Sequence, residues 1–164
     1  MMLALQHRDI APGEGHAVGR ALLREMTESL TGRPMPDIHI TQRGKPYFTS
    51  GNLHFSITHT KRHVFCALSD APIGIDAEEV DRNVSPALAA KILSDSEYHQ
   101  YENAPDHRLA LLTFWVLKEA QAKYDGTGLQ GYPNHTNFTL DDPRVICRDG
   151  CFLAVIQKEE THAL

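Results

Sequence analysis

Cysteine is scarce: the chain of 164 residues has three, Cys66, Cys147 and Cys151. An odd number in apolar, strand-like surroundings excludes a disulfide framework and reads as small buried hydrophobes in a reducing compartment. Cys147 and Cys151 are separated by Arg148, Asp149 and Gly150, which read as a hairpin turn rather than the gap in a metal-ligand pair. Long apolar runs are missing too, and no stretch reaches membrane-spanning length. The opening residues lack a basic segment followed by an apolar one, so no signal peptide is expected. Low-complexity tracts and short-period repeats are absent. Positive charge is not in excess. With 16 basic and 21 acidic residues the formal net charge is −5, which gives no general drive toward nucleic acid or an anionic membrane. These absences lead us to expect a cytoplasmic protein with neither kind of partner.

What is present suits one domain with a substantial core, at 41% hydrophobic and 23% charged residues. A short strand is expected over 1–6. A helix is expected over 12–30, with Val18, Leu22, Met26 and Leu30 on one face, Pro12 in its first turn and Gly32 at its end. Strands are expected at 38–41, 63–69 and 73–80. Leu53, Phe55 and Ile57 alternate with His54, Ser56 and Thr58, the pattern of a half-buried strand. Ser85-Pro86 starts a helix carrying Leu88 and Ile92. Ser94 and Glu97 have capping-box spacing ahead of another. Asp106 can cap the longest helix, apolar nearly all round over 109–117 and stopped at Gly126. Short strands at 137–140, 145–147 and 151–157 close the chain. The class is α+β with mainly antiparallel hairpins, divisible into halves near 1–72 and 73–164.

Three segments carry possible chemistry. In Gly74-Ile75-Asp76-Ala77-Glu78 the two carboxylates lie two apart on a strand and share a face. They suit a magnesium ion, or a solvated strand end. Gly74 on the same face would leave room for a ligand. In Trp115-Val116-Leu117-Lys118-Glu119-Ala120-Gln121-Ala122-Lys123, Trp115, Glu119 and Lys123 line one helical face. They read either as a surface ion pair beside a core tryptophan or, at the edge of a buried stretch, as a ligand site. The third segment is basic: Arg43, Lys45, His59, Lys61, Arg62 and His63, with Thr58 and Thr60, suit phosphate or a solvated turn. His59 and His63 have the spacing of a zinc pair on a helix, but the context reads as strand and turn with no third ligand nearby.

Together these segments resemble the 4′-phosphopantetheinyl transferase superfamily, whose hallmarks are a G-I-D-x-E strand followed about forty residues later by W-x-x-K-E-A-x-x-K. Three upstream and intervening elements also match. Arg43-Gly44-Lys45-Pro46-Tyr47 is similar to the family's G-K-P turn, Leu53-His54-Phe55-Ser56-Ile57-Thr58-His59-Thr60 to its F-N-I-S-H-S strand, and Leu93-Ser94-Asp95-Ser96-Glu97-Tyr98 to its F-x-S-x-x-E-Y helix start. About seventy residues before the G-I-D motif favour the larger, surfactin-synthetase-activator-like class over the small trimeric synthases. That class is a monomeric pseudo-dimer, each half a long helix on a small antiparallel sheet, with the cleft between them. The chain is short for the class, mainly at its beginning. Thr58 replaces a serine, and His16 or Arg20 stands in for a basic residue near Gly15.

The resemblance implies transfer of 4′-phosphopantetheine from coenzyme A to a serine of an apo acyl or peptidyl carrier protein. It implies that Asp76, Glu78 and Glu119 hold magnesium, with manganese as the alternative. Lys123, assisted by Lys118, would meet phosphate, while Arg43, Lys45, Pro46, Thr58 and His59 would bind the nucleotide end. Glu119 is the first choice of base and Glu97 the second, with Trp115 orienting Glu119. Carrier docking is expected around 127–132. The alternatives are a degenerate relative that binds coenzyme A or carrier without transfer, and another magnesium-dependent phosphoester enzyme.

Overall fold

The structure, a computed structural model, describes residues 1–128 and 136–158. Strand β1 (Met2–Asp9) leads to helix α1 (Gly15–Thr31), the hairpin of β2 (Ile38–Ile40) and β3 (Pro46–Phe48), then β4 (His54–His59), β5 (His63–Ser69) and β6 (Ile73–Glu79). Helices α2 (Ala87–Ile92), α3 (Asp95–Asn103) and α4 (His107–Asp125) follow, and β7 (Val145–Arg148) and β8 (Cys151–Gln157) close the fold. The strands form antiparallel sheets ordered β1-β5-β4, β2-β3 and β6-β8-β7. The architecture is α+β, as expected.

Local chemistry explains the boundaries. Leu22, Leu23 and Met26 of α1 are buried with Phe48, Phe55, Val64, Cys66 and Leu68. The helix starts at Gly15 rather than Pro12, because Gly13 has φ 88 and cannot belong to a right-handed helix. Leu30 is exposed, so the apolar face ends one turn early. Ser94 and Glu97 make the expected capping box of α3, and Asp106 caps α4 by accepting from Leu109 N–H. Gly126, at φ 70, ends α4. The turn between β7 and β8 has Asp149 at φ 51 and Gly150 at φ 74, the positive pair of a tight two-residue hairpin.

Four expectations are corrected. Residues 137–140 are not a strand: the N–H groups of Phe138 and Leu140 bond the side chains of Glu97 and Gln100, which replace a ladder partner. Cys66 and Cys151 are buried as expected, but Cys147 is exposed. Strand β4 is buried on both faces over its middle, since Ser56 and Thr58 face β6 rather than water. Gly74 does not leave space for a ligand. A Cβ there would stand 2.2 Å from the carbonyl oxygen of Ala120 and 2.4 Å from Tyr124 N.

A mixed core of Phe65 and Ala67 with Ile73, Ile75, Ala77, Cys151 and Leu153 runs beneath both three-stranded sheets. A second core packs α4 and α3 with Phe138, Ala154 and Ile156. Among the described residues no helix is long and apolar enough to cross a membrane. Backbone against backbone at Gly74 leaves no flexible group to yield, so Gly74→Ala is expected to cost ~3 kcal/mol or more. Urea denaturation checks this, and a loss below about 1 kcal/mol would show that β6 and α4 separate easily.

Candidate active site

The close approach at Gly74 brings the last turns of α4 over β6, so Glu119 and Lys123 meet the carboxylates of Asp76 and Glu78. Asp76 is 7% exposed. Its Oδ1 accepts from Thr58 Oγ1 at 3.1 Å and from Lys123 Nζ at 2.8 Å. Its Oδ2 is buried without a hydrogen-bond partner. Glu78 Oε1 accepts from Trp115 Nε1 at 3.1 Å and from Arg82. Burial pushes the Glu119 carboxyl up from 4.5 to about 7, the nearby Asp76 and Glu78 charges add to this, and Lys123 and Arg82 oppose it.

Beside these groups lies a cavity of about 390 Å³. One wall is Glu119, Ala122 and Lys123 of α4 with Gly126 and Gly128; the other is Phe55, Ser56 and Ile57 of β4 with Arg43, Gly44, Lys45 and Pro46. Lys45 Nζ donates to the carbonyl of Tyr124 at 2.9 Å, so the β2–β3 hairpin is pinned to the C-terminal end of α4. Half-burial lowers the Lys45 pKa, with Asp125 opposing the shift.

Of the residues singled out in the sequence, Arg43, Lys45, Pro46, Glu119 and Lys123 line this one cavity, and Asp76 joins it through Lys123. Others stand elsewhere. Thr58 is buried between β4 and β6, where it accepts from Ala77 N–H and donates to Asp76, so it positions a carboxylate rather than lining the cavity. His59 is exposed, its ring against Gly15 at the head of α1. Lys118 is buried and pairs with Glu97 at 2.7 Å. Glu97, fully buried, also accepts from the N–H groups of Ser94 and Phe138. The pair is thus part of the packing of α3 against α4. Trp115 donates to Glu78, a partner the sequence had not given it. The docking segment expected at 127–132 lies outside the described residues from 129 onward.

Sequence reasoning missed Arg82 as a partner of Glu78 and the glycines that open the cavity floor. Gly126 was legible only as a helix stop. The donor set fits a hard divalent cation. Asp76 Oδ2 is an orphaned buried oxygen, and Glu119 is a carboxyl whose ionisation is opposed by neighbouring negative charge. Glu78 points to Trp115 and Arg82, and one oxygen from each of the three carboxylates does not fall within 4.8 Å of the others. Glu78 therefore joins the set only by giving up Arg82.

A family model of the 4′-phosphopantetheinyl transferase superfamily matches residues 72–154, spanning β6 to the middle of β8. The chain is 32% identical over 117 residues to the 4′-phosphopantetheinyl transferase psf-1 of Bacillus pumilus, covering 68% of this chain and 50% of that protein. A 4′-phosphopantetheinyl transferase of Bacillus subtilis is 32% identical over 134 residues, covering 76% and 59%. The 4′-phosphopantetheinyl transferase gsp of Aneurinibacillus migulanus is 28% identical over 116 residues, covering 68% and 48%. This chain belongs to the 4′-phosphopantetheinyl transferase superfamily and is similar to its larger Bacillus members. It spans about half the length of the curated relatives it matches.

Two outcomes follow from the electrostatics. The folded chain keeps Glu119 protonated up to about pH 7, whereas an unfolded glutamate ionises near 4.5. Stability contributed by this group is thus fully present below the lower value and lost as pH rises through 7. In EDTA, Glu119→Gln should match the wild type near pH 4 and exceed it by ~1 kcal/mol at pH 8, after discounting solvent screening of a part-exposed group. Chemical denaturation across pH measures this, and parallel pH profiles would refute it. Lys118→Ala should cost ~3–5 kcal/mol by stranding Glu97, while Lys118→Met with Glu97→Gln should recover much of that. Thermal unfolding of the single and double variants separates this fold role from a phosphate role.

Proposed function

We propose that this chain transfers the 4′-phosphopantetheine group of coenzyme A to a serine of an apo acyl or peptidyl carrier protein, releasing adenosine 3′,5′-bisphosphate. The observation that carries the reading is the convergence of Asp76, Glu119 and Lys123 beside a cavity whose other wall holds Arg43 and Lys45. A site with carboxylates at one side and cations at the other suits a pyrophosphate ester flanked by a further phosphate. Asp76, Glu119 and a released Glu78 would hold magnesium, or manganese in its place. When bound, such an ion supplies Lewis-acid neutralisation of charge on the pyrophosphate.

The chain's own residues account for the rest. Lys123, a point charge beside Asp76, would meet pyrophosphate oxygens. Arg43 and Lys45 would take the nucleotide phosphate, and Pro46, Phe55 and Ile57 give the cavity its apolar walls. His59, two residues beyond Ile57 and exposed, would reach the nucleotide only outside that cavity. The carrier serine Oγ forms a bond to the phosphorus bearing pantetheine as the bond from that phosphorus to the nucleotide's phosphate oxygen breaks. Glu119, ionised once a cation offsets the neighbouring negative charge, takes the serine proton directly or through water. In this reading the chain works as a cytoplasmic monomer, with halves near 1–72 and 73–164 facing each other across the cavity.

Intact-mass spectrometry of apo carrier proteins incubated with the chain, coenzyme A and magnesium tests the proposal. The expected result is a magnesium-dependent gain of one phosphopantetheine unit on the carrier serine. Asp76→Ala and Glu119→Ala should each lower the rate at least ~10²-fold while keeping a folded circular dichroism spectrum, and Lys123→Ala should lower it ~10-fold or more. Near-normal transfer by either carboxylate variant would overturn the site assignment. No gain across fatty-acid and peptidyl carriers, beside a working control enzyme, would overturn the activity in favour of binding without transfer.

A further inference from the structure

We propose that His7, Asp9 and His63 form a binding site for a zinc-class divalent ion, separate from the carboxylates of β6 and α4. In the antiparallel register of β1 and β5, Asp9 stands opposite His63 and His7 opposite Phe65. Residues two apart on a strand share a face, so one sheet face presents the two imidazoles and the carboxylate together. Asp9 Oδ1 lies 3.1 Å from His63 Nδ1 and 3.4 Å from His7 Nε2. One ligand atom from each residue falls within 4.8 Å of the other two, and among the described residues no other His, Cys, Asp or Glu set does so. Zinc bonds of about 2.0–2.1 Å at tetrahedral angles place neighbouring ligand atoms ~3.3 Å apart. Both separations are close to that edge length.

A second observation concerns the groups behind the ligands. The other ring nitrogen of His7, Nδ1, faces Asp149 Oδ2 at 3.4 Å. A carboxylate behind a ligating histidine fixes its tautomer and raises its basicity, the usual support of a zinc-bound imidazole. Asp149 stands in the tight turn between β7 and β8, where the same Oδ2 also lies 3.7 Å from Arg148 Nε. The His7 ring also stacks on Phe65 with centroids 5.4 Å apart. The histidine side chains are 25% and 18% exposed, so little rotamer freedom remains to be lost on binding. The neighbouring guanidinium of Arg62 is committed to Glu79 and Asp81, so it does not neutralise Asp9. Two imidazoles and one carboxylate favour a borderline-soft ion over magnesium, which prefers oxygen alone. The fourth position is left to water. Occupancy would tie β1 and β5 to the β7–β8 turn through Asp149, stabilising the fold by mass action.

The test uses the untagged full chain, stripped with EDTA and titrated with zinc by calorimetry in excess magnesium. One equivalent should bind with micromolar or tighter affinity, and cobalt should give the absorption bands of a tetrahedral site. His7→Gln and His63→Gln should each weaken binding at least about tenfold, and Asp149→Asn by about tenfold. Cys147→Ser, which removes the exposed thiol on β7, should leave the affinity unchanged. Zinc should raise the melting temperature of the wild type but not of His63→Gln. Should His63→Gln fail to fold, His7→Gln on the edge strand carries the same comparison. Unchanged zinc affinity in both histidine variants, or no binding tighter than millimolar, would overturn the proposal.

Discussion

Two hydroxyl groups hold the molecule's central seam. Strands β4 and β6 lie side by side but belong to different sheets, with no backbone ladder between them. Instead Ser56 Oγ accepts from Ile75 N–H at 3.0 Å, and Thr58 Oγ1 accepts from Ala77 N–H at 3.2 Å. The period of two on both strands brings hydroxyl and amide into register twice. Each of those amides is buried and would cost about 1–3 kcal/mol if left unpaired. Thr58 then donates its own proton to Asp76 Oδ1. The contact that joins two sheets also aims the carboxylate between them. Serine and threonine serve here because a hydroxyl can accept from one neighbour and donate to another.

The site's electrostatics follow from that placement. Asp76 is fixed in a low-dielectric seam with Lys123 on one oxygen and nothing on the other. Burial, and after it the neighbouring Asp76 charge, makes an ionised Glu119 costly, and its raised pKa expresses that cost. Glu78 escapes the conflict by turning to Trp115 and Arg82. Three carboxylates thus meet three cost-limiting arrangements: a lysine, a proton and an arginine. Each arrangement limits the cost of bringing acidic groups together. Lys118 and Glu97 meet the same need as a buried pair at 2.7 Å.

Much of the fold was legible because its signals are local. The capping box at Ser94 and Glu97, the cap at Asp106 and the stop at Gly126 each depend on a few neighbouring residues, and all were read correctly. The carboxylates and Lys123 were legible from strand and helix spacing together with family resemblance. What failed depended on distant partners. The alternation of β4 predicted a wet face because nothing in 53–58 reveals that β6 covers it. Gly74 was read as space for a ligand, when α4 from forty-odd positions later fills that space. Lys118 and Lys123 look alike in sequence, yet the helix turns one into the core and the other toward the cavity. His63 was weighed with His59 by spacing, whereas the β1–β5 register sets it beside Asp9 and near His7.

Polar links recur where the elements before β6 meet those from β6 onward. Lys45 of the β2–β3 hairpin reaches the Tyr124 carbonyl of α4, Arg62 grips Glu79 at the end of β6 and Asp81 just past it, and His7 faces Asp149. The apolar contribution at this boundary is the mixed core under Phe65 and Ile75, which resists separation without fixing direction. Hydrogen bonds and ion pairs supply direction, since their strength falls steeply with angle and distance. A cavity bounded by β4 on one side and α4 on the other therefore takes its width from polar geometry. The Lys45 link bears on that width directly, because it ties the hairpin wall to the end of α4. Its ammonium is half-buried and its pKa is lowered by burial, with Asp125 opposing, so the bond to the Tyr124 carbonyl offsets part of the cost of holding charge there. The same lysine thus joins the two walls and places a cation on the cavity lining.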